Sequence, residues 1–204
     1  RALTGNGTNR TIPHRVMIDE ASVLLSSRMI AFLMEPRRAE ADALADLADA
    51  LELAASVFKA RGGDGNLKQA QRLAISANDC RKGKQPRANG VAAKLLGTLS
   101  VLRTHGFTGE PKRDWIEARR FLRESGANPL QEIAQEAEQL IVFQRGHRIA
   151  AGFTELWQTQ GHYKGARTAL DMALAEDQLL SGGNDLRGIH VMTVHKAKGK
   201  EFDA

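Results

Sequence analysis

The chain has 204 residues, 42% of them hydrophobic and 26% charged, with 5% aromatic and a single cysteine. That composition suits a globular protein large enough to bury a core, and one cysteine excludes an internal disulfide framework. The net charge of +5 and pI near 9.6 permit a polyanionic partner without specifying one. No run of about 18 apolar residues is present to span a membrane, and the first residues carry no charged-then-apolar signal pattern, so a cytoplasmic location is expected.

In chain order, Thr4 to Thr11 is rich in Gly, Asn and Thr and reads as a loop. His14 to Asp19, after Pro13, reads as a short strand. From Ser22 onward the pattern is helical, with Asp19 or Ser22 expected to cap the first helix. Leu44, Leu47, Leu51, Ala54 and Phe58 recur at three- and four-residue spacing, as one buried helical stripe requires. Arg61-Gly62-Gly63-Asp64-Gly65 stops that helix, and a shorter one follows over roughly Asn66 to Asn78, running into the loop CRKGKQPRANG. Val91, Leu95, Leu99 and Leu102 mark the next helix, and Trp115, Ala118 and Leu122 another.

Asn128-Pro129 opens a further helix, with Asn128 predicted as N-cap and Gln131 placed for a capping box. Its inward face is Leu130, Ile133, Ala137, Leu140 and Ile141. Ile149, Phe153, Leu156 and Trp157 give one more stripe, and Leu170, Ala173 and Leu174 the last. Ser181 to Asp185 breaks the helical run, and Ile189 to Val194 is β-branched enough for a buried strand. The expected fold is therefore mainly α: a multi-helix array inserted between two short strands of a small parallel sheet, with Val16, Ile18, Val191 and Val194 sharing one core.

The string Thr193-Val194-His195-Lys196-Ala197-Lys198-Gly199-Lys200-Glu201-Phe202 lies at the C-terminal end of the second expected strand, where α/β proteins bind ligands. It resembles motif V of the UvrD/Rep-type superfamily 1 DNA helicases, whose usual form is TxHxxKGLEF. Lys200 stands where that family usually has Leu. The resemblance implies that the chain covers a helical 2B-type subdomain inserted in the second RecA-like domain of an ATP-dependent, 3′-to-5′ single-stranded DNA motor. It implies DNA-backbone contacts from Thr193 and His195, a ribose contact from Glu201, and a turn beside the nucleotide shaped by Lys198 and Gly199. A hydroxyl and an imidazole can donate to phosphate oxygens, and a carboxylate can accept from a sugar hydroxyl. The family's Gly-Ile-Gly signature in that subdomain is absent from the sequence.

The domain organisation implied is a leading strand plus helix of the RecA-like domain over 1–35, the helical insertion over 36–185, and the returning strand with motif V over 186–204. ATP and Mg would be bound by the intact enzyme, with none expected on this fragment. The partners implied are single-stranded and junction DNA and the remaining helicase domains of the same polypeptide, with no membrane. Met17 to Ala21 has the outline of a Walker B strand, but no GxxxxGK[ST] loop accompanies it, so Asp19-Glu20 reads as a strand-to-helix connection. The fragment alone would then lack ATPase activity.

Arg81, Lys82, Lys84 and Arg87 crowd a loop without acidic residues, which suits a phosphate backbone as well as it suits plain solvation. Trp115 and Trp157 lie on apolar faces and read as core. Cys80 has no Cys or His neighbour for a metal and reads as inert, and no metal-ligand spacing occurs. The competing function is a stand-alone helical module that binds nucleic acid or protein.

Overall fold

A computed structural model of the chain describes residues 21–139 and 147–181. Among these residues there are eight α-helices and two 3-10 turns and no strand. The mainly α expectation therefore holds. The two strands of the expected parallel sheet, the Asp19-Glu20 connection and the terminal motif fall outside the described residues.

α1 (Ala21–Met34) carries one charge, Arg28, in fourteen residues, and ten of them are buried. A helix apolar all round has to be enclosed by others, and α1 packs against α2 (Ala43–Arg61), α5 (Pro111–Arg123), α6 (Asn128–Glu136) and α8 (Ala166–Ser181). Its buried serines are satisfied locally or across the core. The Ser27 hydroxyl donates to the Val23 carbonyl at 2.8 Å and the Ser26 hydroxyl to Glu136 at 2.8 Å. α1 thus clusters with the helices that follow it, in one unit over Asp19–Gly183. Ser22 sits buried inside α1 instead of capping it, close to Glu136.

Arg37 closes the C-terminal end of α1. Its guanidinium donates to the Phe32 and Glu35 carbonyls and stacks on the Phe32 ring at 4.1 Å, supplying donors to the carbonyls that a helix end leaves unpaired. A 3-10 turn, Glu40–Asp42, then leads into α2. Leu47, Leu51, Ala54 and Phe58 of the expected stripe are buried and Leu44 is half-buried. Gly62 and Gly63 end α2 at φ 69° and 77°, a region open to glycine. α3 (Asp64–Arg81) starts two residues before its predicted place and packs chiefly on α2. α4 (Val91–Thr104) buries Leu95, Leu99 and Leu102 as its spacing requires.

α6 does not begin as the sequence suggests. The Ser125-Gly126 turn delivers the chain with Ala127 extended (φ −115°, ψ 117°) and buried, so Ala127 is the N-cap residue and no side chain caps the helix. The Ala127 carbonyl accepts from both the Leu130 and Gln131 amides, so the Asn128–Gln131 capping box is not formed. Tertiary burial of Ala127 decides the start over local capping preference. α7 (His147–Gln160) and α8 form a pair that leans on α5 and α1 respectively.

Two polar clasps tie the helices. Asp114, fully buried in the first turn of α5, accepts from the Thr108 amide at 3.0 Å, the Thr108 hydroxyl at 2.8 Å, the Gly109 amide at 2.8 Å and the Tyr163 hydroxyl at 2.7 Å. Burial and the Asp114 carboxylate together push the Tyr163 phenol pKa up, so it stays a donor. Glu136, at the end of α6, takes Ser26 and the Arg61 guanidinium at 2.8 Å, while Arg61 also reaches Glu132 at 2.7 Å.

Asp114→Ala would orphan two amides and the Tyr163 hydroxyl, and should cost about 3 kcal/mol in chemical denaturation. A loss below about 1 kcal/mol would show that water replaces the carboxylate without penalty. Glu136 gives a pH test. Burial favours its neutral acid, but Arg61, Ser22 and Ser26 outweigh that and hold it below the usual glutamate range. Its stabilising effect is therefore full above the ordinary value of 4.5 and is lost as pH falls through the lower folded value. Glu136→Gln should be less stable than the parent at neutral pH, with the gap narrowing on acidification. A gap constant with pH would contradict the assignment.

Candidate nucleic-acid interface

The basic segment after α3 is more ordered than a solvated loop. The Lys82 amide donates to the Asn78 and Asp79 carbonyls, the Gly83 amide to Cys80 and the Lys84 amide to Asp79, so the chain folds back over the end of α3. Gly83 at φ 78° permits that reversal.

The four predicted phosphate-binding cations separate into two kinds. Arg81 is the last residue of α3, and its guanidinium is held by Glu52 at 2.8 and 3.0 Å and Asp49 at 3.0 Å, both from α2. Those acidic partners raise its pKa further. The Lys84 ammonium meets Asp79 at 2.8 Å and thereby holds that carboxyl below its usual range. The segment looks purely basic in the sequence, yet two of its cations are paired, Arg81 by acids of α2 and Lys84 by Asp79 in the last turn of α3. Lys82 and Arg87 are exposed and make no ion pair among the described residues.

A second basic region has no counterpart among the predicted sites. The end of α1, the connection to α2 and the start of α8 enclose a cleft of 770 Å3 whose cations are Arg28, Arg37, Arg38, Lys164 and Arg167. Glu35 occupies Arg167, accepting from its amide at 3.2 Å and from its guanidinium at 3.0 and 2.8 Å. Arg28 meets Asp171 at 3.2 Å. Arg38 meets Asp49 at 2.8 Å, and its backbone amide donates to the Asp46 carboxylate at 2.9 Å. Arg37 differs, since its acceptors are main-chain carbonyls and it makes no ion pair with a carboxylate among the described residues. Burial strips water from this guanidinium and lowers its pKa, against the pull of Asp46 and Glu35.

Asp49 joins the two regions. One of its oxygens takes Arg38 from the cleft and the other takes Arg81 at the end of α3. α3 packs along α2 and ends beside its first turns, which brings the post-α3 segment next to the connection that lines the cleft.

Both tryptophans are core residues, as their spacing suggests. Trp115 is buried with its ring centroid 6.2 Å from Phe153, and half-buried Trp157 lies 5.0 Å from Tyr163. Cys80 is buried, and burial raises its thiol pKa. Among the described residues no group of three His, Cys, Asp or Glu side chains could hold a metal, and no helix is long and apolar enough to cross a membrane. The other predicted site residues, Thr193, His195, Lys198, Gly199 and Glu201, lie outside the described residues. Neither the protein-family models nor the curated proteins nor the solved structures contain a match to this chain.

The pairing pattern predicts unequal effects on polyanion binding. Arg81→Gln should leave the salt dependence of oligonucleotide binding almost unchanged and cost under about 1 kcal/mol of stability. Lys82→Gln with Arg87→Gln should lower the salt slope by roughly one to two. Equal effects in a salt titration would mean that the ion pairs open freely.

Proposed function

We propose that this chain supplies the helical 2B-type subdomain and motif V of an ATP-dependent, UvrD/Rep-type DNA helicase that tracks along single-stranded DNA in the 3′-to-5′ sense. The observation that carries this reading is the string Thr193 to Phe202, which keeps the family's Thr, His, Lys, Gly, Glu and Phe in register. A helical body flanked in the sequence by two segments whose residue pattern reads as strand supports it, since that is the order an insertion requires. Within the reading, Thr193 and His195 hold the sugar-phosphate backbone, and Glu201 accepts from the ATP ribose. Lys198 and Gly199 shape the turn between them, while Lys200 replaces an aliphatic contact. ATP and Mg belong to the site completed by the remaining motor domains of the same polypeptide, and the DNA partners are single strands and junctions. The small parallel sheet, with the leading and returning strands side by side, belongs to the same proposal, as does a cytoplasmic location.

A stand-alone helical module for nucleic acid or protein is the second reading. The exposed Lys82 and Arg87, which make no ion pair among the described residues, favour its nucleic-acid form.

The two ligands of the terminal motif separate under mutation in the polypeptide that carries the whole motor. His195→Ala should weaken single-strand affinity by on the order of 1 kcal/mol, with nucleotide affinity nearly unchanged. Glu201→Gln should raise the KM for ATP and leave nucleotide-free DNA affinity as it was. Equal losses of DNA binding in both variants, with no change in ATP dependence, would refute these roles.

A further inference from the structure

We propose that Asn89, in the turn that leads into α4, is a site of spontaneous deamidation, in which the Gly90 amide nitrogen closes a succinimide ring on the Asn89 side chain. The inference stands on described residues and does not depend on the helicase reading.

The nucleophile and its access single out this asparagine. Ring closure needs a backbone nitrogen with little bulk around it, and a following glycine offers the least. Four asparagines lie among the described residues, and only Asn89 precedes a glycine. Asn128 is followed by Pro129, which has no N–H to lose. Asn78 lies inside α3, and Asn66, in its first turn, has its side-chain nitrogen tied to the Gly62 carbonyl at 2.8 Å. Asn89 is exposed, and its side-chain amide makes no hydrogen bond among the described residues.

The turn explains both why an asparagine stands there and what restrains it. The Gly90 amide donates to the Arg87 carbonyl at 3.1 Å, closing a four-residue turn whose third position, Asn89, sits at φ 62°. Asparagine is one of the few residues with a side chain that tolerate that region. The same hydrogen bond holds the proton that must leave before the nitrogen attacks, so the turn has to open first. An exposed turn closed by one such bond opens far more often than the core does, and the reaction is slowed but not blocked. The charged side chains nearest in sequence, Lys84, Arg87 and Lys94, are all cations, which favour an anionic ring closure.

The step balances with water as the co-reactant. Hydroxide takes the Gly90 amide proton, the nitrogen bonds to the Asn89 Cγ, and the Cγ–Nδ2 bond breaks with release of ammonia. Water then opens the ring at either carbonyl. Opening at Cγ leaves an ordinary aspartate. Opening at the main-chain carbonyl leaves isoaspartate, whose backbone runs through the former side chain and is one carbon longer.

The two products act in opposite directions here. Gly90 is the N-cap of α4, which has no side-chain cap and no acidic residue in its first turn. An aspartate one residue earlier adds the anion that a helix N-terminus favours. Isoaspartate lengthens the chain inside the turn, so the bonds from the Gly90 amide to Arg87 and from the Lys94 amide to the Gly90 carbonyl lose their register.

The test is incubation of the folded 204-residue chain at mildly alkaline pH, followed by trypsin digestion and mass spectrometry of the Ala88–Lys94 peptide. That peptide should gain the mass of an NH2 replaced by OH, divided between aspartate and isoaspartate forms that an isoaspartyl methyltransferase tells apart. Conversion should rise with pH and run faster in urea, where the turn is open. Gly90→Ala, whose Cβ would lie 3.2 Å from the Arg87 carbonyl oxygen, should slow it roughly tenfold. Asn89→Gly keeps the positive φ and should abolish the product in this peptide, which separates the site from the other Asn-Gly pair of the chain, Asn6-Gly7. Separated by ion exchange, the aspartate form should melt no lower than the parent, and the isoaspartate form should melt lower. No conversion of the folded chain over weeks, while the chain in urea converts, would overturn the proposal. So would a product that is aspartate alone and forms at the same rate in Gly90→Ala, since that is direct hydrolysis of the side-chain amide without a ring.

Discussion

α1 is enclosed on nearly every side, and the other helices are arranged by the need to enclose it. A run such as ASVLLSSRMIAFLM has no polar face to offer water, so its burial sets where α2, α5, α6 and α8 must stand. The serines within it would be costly there without partners. Ser27 turns back on its own helix, while Ser26 reaches Glu136 and, through it, the arginine that ends α2. One polar atom in an apolar helix thus orients two others. This also explains why the helix packs as part of the body that follows it.

The charged exterior follows from how the same helices end. Arg37 is drawn inward by the open carbonyls of α1, and Arg38 beside it is turned toward the acids in the first turns of α2. Because α3 runs back along α2, its last residue meets the same acids. The basic surfaces are then the remainder, the cations left over after the helix termini and their acidic neighbours have been matched. Sequence counts of Lys and Arg overstate what is available to a ligand, and the difference is set by packing.

Most of the helical body could be read from residue spacing, since the stripes of α2, α4 and α5 repeat every three or four positions and are buried as that repeat requires. Position along a helix is a local property, so it survives without knowledge of the fold. The Asp114–Tyr163 contact joins residues 49 apart, and the cleft gathers cations from 28–38 and 164–167; neither has a local signature beyond the Arg37-Arg38 pair. The start of α6 is illegible for a related reason, because the burial of Ala127 is a tertiary fact. In the terminal motif, by contrast, the chemistry is written in ten consecutive residues, and recognition there rests on pattern alone.

The Asp114 clasp has a kinetic meaning as well as an energetic one. The loop between α4 and α5 has little regular structure, yet its Thr108 and Gly109 amides end on a carboxylate shut in by Tyr163. Gly109, at φ 84°, brings the backbone so close to Trp157 that a Cβ would lie 2.3 Å from the indole nitrogen. Thr108 is exposed and Gly109 half-buried, so what protects their amides is the bond to the buried Asp114, which Tyr163 holds in place. Their hydrogen exchange would then keep time with the opening of the helical body, not with the fluctuations usual for a surface turn. A stretch with no helix of its own would have the exchange lifetime of the core around it.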